Sequence, residues 1–169
     1  MWRSDLDPRA TFLIEHLNLQ PHPEGGFFSE IFRSEHAVQP ADERPVRSAL
    51  TTIYFLLASG QTSKFHRVAS DEVWHHLEGA SLDLFIIDPQ IGSRSTLKLE
   101  SASASSNPEN ATRIVKAGWW QAARSNGSYT LAGCTVGPGF DFADFHLARS
   151  LPEKAEAIAA SFPDWTDLI

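Results

Sequence analysis

Residues 60–79 read GQTSKFHRVASDEVWHHLEG. A glycine stands at each end. Between them two runs, 64–68 and 72–77, mix aromatic and β-branched residues with polar ones in the manner of strands. Successive side chains on a strand point to opposite faces, so Lys64, His66 and Val68 are expected on one side of the first run. In the second run, regular alternation groups Glu72 with Trp74 and His76 and sends His75 out with Val73 and Leu77. A β-bulge near Ser70-Asp71 would reverse that grouping. Both His75 and His76 therefore stand as candidates for ligand contact, beside Trp74.

The same two-residue period continues on either side of this stretch. Residues 25–33, 49–57, 82–87, 95–99, 112–116, 119–123 and 129–136 read as strands. Turn signals separate them at Ser59-Gly60, Glu78-Gly79, Asp88-Pro89, Ala117-Gly118, Asn126-Gly127 and Gly137-Pro138-Gly139. About nine short strands with turns at this spacing predict an all-β sandwich or barrel. Residues 101–112, rich in Ser, Ala and Asn, are expected to form a mobile hairpin tip. A helix over about 8–18 is predicted by Asp7 as N-cap, Pro8 in the first helical position and apolar residues at helical spacing. A second helix is expected over 153–162, capped by Ser150. The organisation expected is one domain over 1–169, with the barrel at about 25–145 between the two helices.

A chain of 169 residues is long enough for one buried core and too short for two ordinary domains. Its 42% hydrophobic and 21% charged residues place it among globular proteins rather than disordered ones. The net charge of −7, with no basic run, argues against nucleic acid and against an anionic membrane surface as partners. No stretch approaches the roughly 20 apolar residues of a spanning helix. The lone cysteine, Cys134, excludes an internal disulfide. The charged start, with Arg3, Asp5, Asp7 and Arg9 and no apolar core, does not read as a signal peptide. A cytoplasmic location is expected.

The central stretch resembles the first motif of the cupins: glycine, five residues, His-x-His, three or four residues, glutamate, six residues, glycine. Gly60, His66, Glu72 and Gly79 fall in register, while Val68 stands at the second histidine. The second motif, Pro-x-Gly-x-x-His, has its counterpart in Lys116-Ala117-Gly118-Trp119-Trp120-Gln121, with Lys116 for the proline and Gln121 for the histidine. The segments His22-Pro23-Glu24-Gly25-Gly26-Phe27-Phe28, Ser70-Asp71-Glu72-Val73-Trp74-His75 and residues 133–142 are similar to those of small stand-alone RmlC-like cupins. These are related in shape to the sugar-nucleotide epimerase barrels. The likeness spans about residues 17–162. It implies a double-stranded β-helix (jelly-roll) barrel with short flanking helices, a homodimer, and a pocket lined by the matched positions. It brings no particular reaction with it.

In a metal-loaded cupin, three histidines and a glutamate grip one divalent ion. Here His66, Glu72 and Gln121 are the ligands if a metal is bound; Val68 has no lone pair to give, and an amide oxygen is a weak donor to a transition metal. Three functions are therefore open. One is metal-independent acid–base chemistry of the epimerase or isomerase kind on a small polar molecule, with His66 and Glu72 catalytic and Gln121 orienting an oxygen. Another is a metal-dependent oxygenase or isomerase, with one of His75 or His76 completing the site. The third is a non-catalytic metabolite-binding dimer. Cys134, Trp119 and Trp120 read as packing or rim residues, Asp141 and Asp144 as turn and helix caps, and the Pro23-Glu24-Gly25-Gly26 turn as a plain loop. His16, His22, His36 and His146 are scattered along the chain and carry no assigned role.

Overall fold

The computed structural model describes residues 6–169, so the charged positions Arg3 and Asp5 lie outside it. Helix α1 spans Pro8–His16, and the Asp7 side chain accepts hydrogen bonds from the backbone N–H of Arg9 (2.8 Å) and Ala10 (3.4 Å). This N-cap satisfies donors that no helical turn precedes. Thirteen strands follow. They are β1 (Gln20–Pro21), β2 (Phe27–Arg33), β3 (Ala37–Val38), β4 (Arg47–Ser48), β5 (Thr51–Ala58), β6 (Thr62–Val68) and β7 (Asp71–Gly79). Then come β8 (Leu82–Ile87), β9 (Arg94–Leu99), β10 (Thr112–Val115), β11 (Trp120–Ser125), β12 (Tyr129–Gly137) and β13 (Phe145–Leu147). Helix α2, Pro152–Ser161, and a 3-10 turn, Pro163–Leu168, close the chain.

One large sheet runs β1-β2-β5-β12-β7-β10 and the other β13-β6-β11-β8-β9, β3 and β4 form a separate two-stranded ribbon, and every pairing is antiparallel. From β5 to β8 the chain alternates between the sheets, turns in the β8–β9 hairpin, and alternates back through β10, β11 and β12. That winding is the double-stranded β-helix of a jelly roll. The inner faces meet in a core that includes Phe55, Leu57, Trp74, Leu84, Ile86 and Cys134. Each outer face has its own cover. Ala10, Leu13 and Ile14 of α1 pack on Leu56, Ala58 and Leu131, and the C-terminal segment packs on Phe65, Phe85, Ile87 and Trp120.

Three expectations need correction. Strands β9 and β10 belong to different sheets, so residues 101–112 form a crossing and not a hairpin tip. The crossing is internally bonded: Ser105 Oγ and Asn110 Nδ2 both donate to Glu100 Oε1, at 2.7 and 2.8 Å, and Asn107 caps a 3-10 turn at Pro108–Ala111. Ser150 does not cap α2, because it ends a 3-10 turn at Ala148–Ser150, and α2 begins at Pro152 with no side-chain cap. Asp144 is a buried ion-pair acceptor rather than a cap, taking Arg47 Nε and Nη2 at 2.9 Å each and Arg44 Nη1 at 3.3 Å. Asp141 does cap its turn, accepting from Ala143 N at 2.8 Å. Strand β13, three residues paired with β6, has too short a run to register as a period in the sequence.

Trp165 is the anchor of the C-terminal cover, with ring centroids 5.8 Å from Phe65 and 5.3 Å from Phe85. Trp165→Ala is expected to lower unfolding free energy by about 3–5 kcal/mol in a urea titration, the cost of an emptied aromatic site. A loss below about 1 kcal/mol would mean that the segment does not cover the sheet in solution.

Candidate functional site: a cavity in the barrel

Strands β2, β5, β6, β7 and β12 and the loop leading to β13 surround a cavity of about 260 Å³. Aromatic rings make much of its wall: Phe28, Phe55, Trp74, Phe140, Phe142 and Phe145. His22, Glu24, His66, Glu72 and Cys134 supply its deep polar groups, and the exposed Glu30, Arg33 and Asp141 stand at its mouth.

Glu24 enters the barrel because of the turn that carries it. Gly25 has φ +113° and a Cβ there would lie 2.2 Å from the Thr62 carbonyl oxygen, so no other residue lets the turn lie this close to β6. The backbone pins it there, with Lys64 N donating to Glu24 O at 2.8 Å. The Glu24 carboxylate accepts from Ser63 Oγ at 2.7 Å, and its Oε2 lies 3.3 Å from both His66 Nε2 and His22 Nδ1. His22 Nδ1 also lies 3.3 Å from Glu24 N. An unprotonated Nδ1 accepts that N–H and a protonated one donates to the carboxylate, so the two contacts alternate.

His66 has a defined tautomer. Its Nδ1 lies 2.8 Å from the Lys64 carbonyl oxygen, which can only accept, so Nδ1 carries a proton and Nε2 faces Glu24. A β-bulge makes this possible. Where β6 pairs with β11, His66 faces Gln121 and Ser63 faces Ala123, so Lys64 and Phe65 together oppose Ala122. The extra residue turns Ser63 and His66 both inward. Lys64 therefore does not share the face of His66, as alternation predicts: its Nζ reaches the Asp167 carbonyl on the outer side, at 2.7 Å.

Glu72 and Trp74 lie on the inner face of β7. Trp74 Nε1, a donor only, donates to Gln121 Oε1 at 3.0 Å, which orients the amide so that Gln121 Nε2 donates to Glu72 Oε2 at 2.5 Å. Gln121 is buried behind these two side chains and does not line the cavity. Pairing of β7 with β12 is regular from Asp71 to His76, with the irregularity at Leu77 and none at Ser70-Asp71. His75 therefore points out, its Nδ1 3.4 Å from Thr112 Oγ1, and His76 sits farther along, its Nε2 3.0 Å from the Ala80 carbonyl oxygen. Neither histidine reaches the cavity. His22 and Glu24, read from sequence as a scattered histidine and a plain turn, do. The legible signal was the paired glycine after a histidine and a glutamate, a geometry that glycine alone permits.

The two buried carboxyls are pushed apart. Burial raises Glu24, but the charges of His66 and His22 and the Ser63 hydroxyl outweigh it and hold the group below the usual carboxylate range. Burial raises Glu72 as well. There the negative Glu24 adds to it, and His66 and Gln121 do not overcome it, so Glu72 stays above the usual range. Cys134 is pushed well up by burial and by these two glutamates, which keeps it a thiol and a poor nucleophile.

The chain belongs to the cupin superfamily: the family model described as Cupin superfamily (DUF985) matches residues 11–148. It is similar to a solved protein of Shewanella oneidensis at 34% identity, covering 93% of this chain and 92% of that one with a TM-score of 0.76. A hypothetical protein from Leishmania major is 31% identical over 94% of each chain, with a TM-score of 0.74. The oxalate decarboxylase of Bacillus subtilis shares the fold at 13% identity and a TM-score of 0.57, over 88% of this chain and 36% of that one. No curated protein matches the chain.

Cupin barrels suggest a divalent ion, but the side chains at the motif positions do not fit one. Val68 has no donor atom. The Gln121 oxygen is taken by Trp74, and its N–H occupies Glu72 Oε2. Among the described residues no group of three or more His, Cys, Asp or Glu side chains is placed to hold a metal.

Opposite shifts predict opposite pH behaviour. The depressed Glu24 contributes stability above the ordinary carboxyl range that is lost as pH falls through it. Glu24→Gln is therefore expected to be destabilising at neutral pH, with the deficit shrinking below pH ~4. The raised Glu72 favours the folded state below that range and costs stability as pH rises from there towards its folded value. Glu72→Gln should therefore gain on wild type between acid and neutral pH. Urea titrations across pH read both signs, and the same sign for the two variants would refute the assignment.

Proposed function

We propose that the cavity binds a small carbonyl compound and carries out metal-independent acid–base chemistry on it, of the epimerase or isomerase kind. His66 and Glu72 are the proton-transferring pair. The observation that carries this reading is that two buried carboxyls with opposite leanings, Glu24 held low and Glu72 held high, line the same cavity beside His66. Two carboxyls driven apart by their surroundings divide acid from base.

His66 Nε2 takes a proton from the carbon beside the substrate carbonyl. The electron pair moves to the carbonyl oxygen, which receives the proton of Glu72. Returning the proton to the other face, or to the neighbouring carbon, completes the isomerisation and restores both groups. Glu24 Oε2, 3.3 Å from Nε2, stabilises the imidazolium that forms. That separation is longer than a charge-assisted hydrogen bond of about 2.7–2.9 Å, leaving Nε2 free to engage a substrate. Gln121, by holding Oε2, turns the other Glu72 oxygen to the cavity. The aromatic wall excludes water, which strengthens each electrostatic contact.

The test is wash-in of solvent deuterium into small α-substituted carbonyl compounds, followed by NMR. Wild type should exchange at a rate that a chelator leaves unaltered. His66→Ala and Glu72→Gln should each slow it by about 100-fold or more. Exchange unaffected by His66→Ala would end this reading. A compound that binds without exchange would point to a binding protein, and a chelator-sensitive rate to a metal enzyme.

We further propose that the chain is a cytoplasmic homodimer. Leu77 and Ile114, 48% and 61% exposed on the neighbouring strands β7 and β10, support self-association there. Sedimentation should give a dimer that Ile114→Lys dissociates, and a wild-type monomer would refute the dimer.

A further inference from the structure

The charges around the cavity say more about the ligand than its size does. Each basic group that reaches it is committed. Arg33 makes a two-pronged pair with Glu30, at 2.9 and 2.7 Å, and both its Nη atoms donate to the Phe140 carbonyl at 3.2 Å. His66 and His22 both face Glu24, whose negative charge offsets any positive charge they carry. No lysine lines the cavity. A phosphate or carboxylate entering it would find no free cation among the lining residues and would approach Glu24 and Asp141, at a desolvation cost.

The acidic side is the open one. Glu72 accepts from Gln121 at Oε2 and has the Cys134 thiol within hydrogen-bonding reach, and its side chain is buried against the cavity. Asp141 spends one oxygen on Ala143 N and keeps the other at the mouth. Between the mouth and the deep carboxyls stand Phe140, Phe142 and Phe145. Their centroids are 5.0, 6.0 and 6.1 Å apart, at interplanar angles of 83°, 63° and 82°. These rings pack edge to face on one another, with His22 stacked on Phe142 and His66 tilted against Phe145. All three line the cavity, and a ring face turned to it carries partial negative charge that attracts an organic cation.

Resting on the reading of this cavity as the ligand site, we infer that it selects a small organic cation. The ligand is an amine or quaternary ammonium whose positive head lies between the three phenylalanine rings and the acidic groups. Apolar walls receive the rest of the molecule, and anionic ligands such as sugar nucleotides and simple carboxylates are excluded.

Three probes sharing one ring isolate the head group: benzylamine, benzyl alcohol and benzoate, titrated separately and followed by protein NMR shifts at the cavity. Benzylammonium should bind about tenfold or more tightly than the alcohol, the scale of a desolvated cation–aromatic contact, with benzoate weakest. Phe142→Leu removes an exposed ring face, and Asp141→Asn removes charge while keeping the capping oxygen. Each should narrow the gap between amine and alcohol without altering the unfolding midpoint. Benzoate or the alcohol binding as tightly as the amine overturns the inference, as does an amine that fails to bind. Deuterium exchange run on the same protein samples separates the two claims. Exchange that persists while the amine loses its lead leaves the acid–base reading standing and removes only the cation preference.

Discussion

A charged carboxylate inside a β-barrel is costly unless it is compensated, and Glu24 is compensated almost completely. Two histidines and a serine hydroxyl converge on it, and each is brought there by a different device. Ser63 and His66 reach it through the β6 bulge, and His22 through the turn that also carries Glu24. The turn in turn depends on Gly25, whose missing Cβ allows the backbone to approach Thr62. If any of these devices failed, the carboxylate would lose its partners. It would then have to take up a proton or leave the barrel.

The second polar system is built on the opposite principle. Trp74, Gln121 and Glu72 form a chain of hydrogen bonds in which direction is set by a group that can only donate, the indole N–H. The chain uses both ends of the Gln121 amide, and burial favours the neutral form of Glu72. In a metal-holding cupin the position of Gln121 belongs to a ligand. Here the amide joins two side chains to each other, so the architecture that surrounds an ion elsewhere in the fold surrounds a hydrogen-bonded acid instead. Polar groups held this way in a barrel interior are strongly oriented.

The two outer covers have a plainer role. Helix α1 and the C-terminal segment bury the outward faces of the two sheets, so the inner faces need not be filled solidly for the barrel to be stable. That division of the apolar burial leaves space for a cavity bounded by rings rather than by solvent.

Much of the fold was legible from local pattern. The two-residue period, the turn glycines and prolines, and the Asp7-Pro8 helix start each depend on neighbours within a few residues, and they located the nine longer strands and α1 within a residue or three of where they lie, while β1, β3, β4 and β13, two or three residues each, left no period to read. His66 and Glu72 could be singled out because their spacing is itself a property of the chain. The partners of these two residues could not. Glu24 lies 42 positions from His66, by subtraction, and meets it only through the approach of a turn to β6. The bulge that reverses Lys64 exists only relative to β11, since a bulge is a mismatch between two strands and leaves no mark in one of them. The exclusion of His75 and His76, the burial of Gln121 and the opposite leanings of the two glutamates follow likewise from pairing and desolvation. Sequence specifies which face a side chain takes along a regular strand; only the packed barrel decides what that face meets, because charge compensation and burial are properties of neighbours brought together from distant parts of the chain.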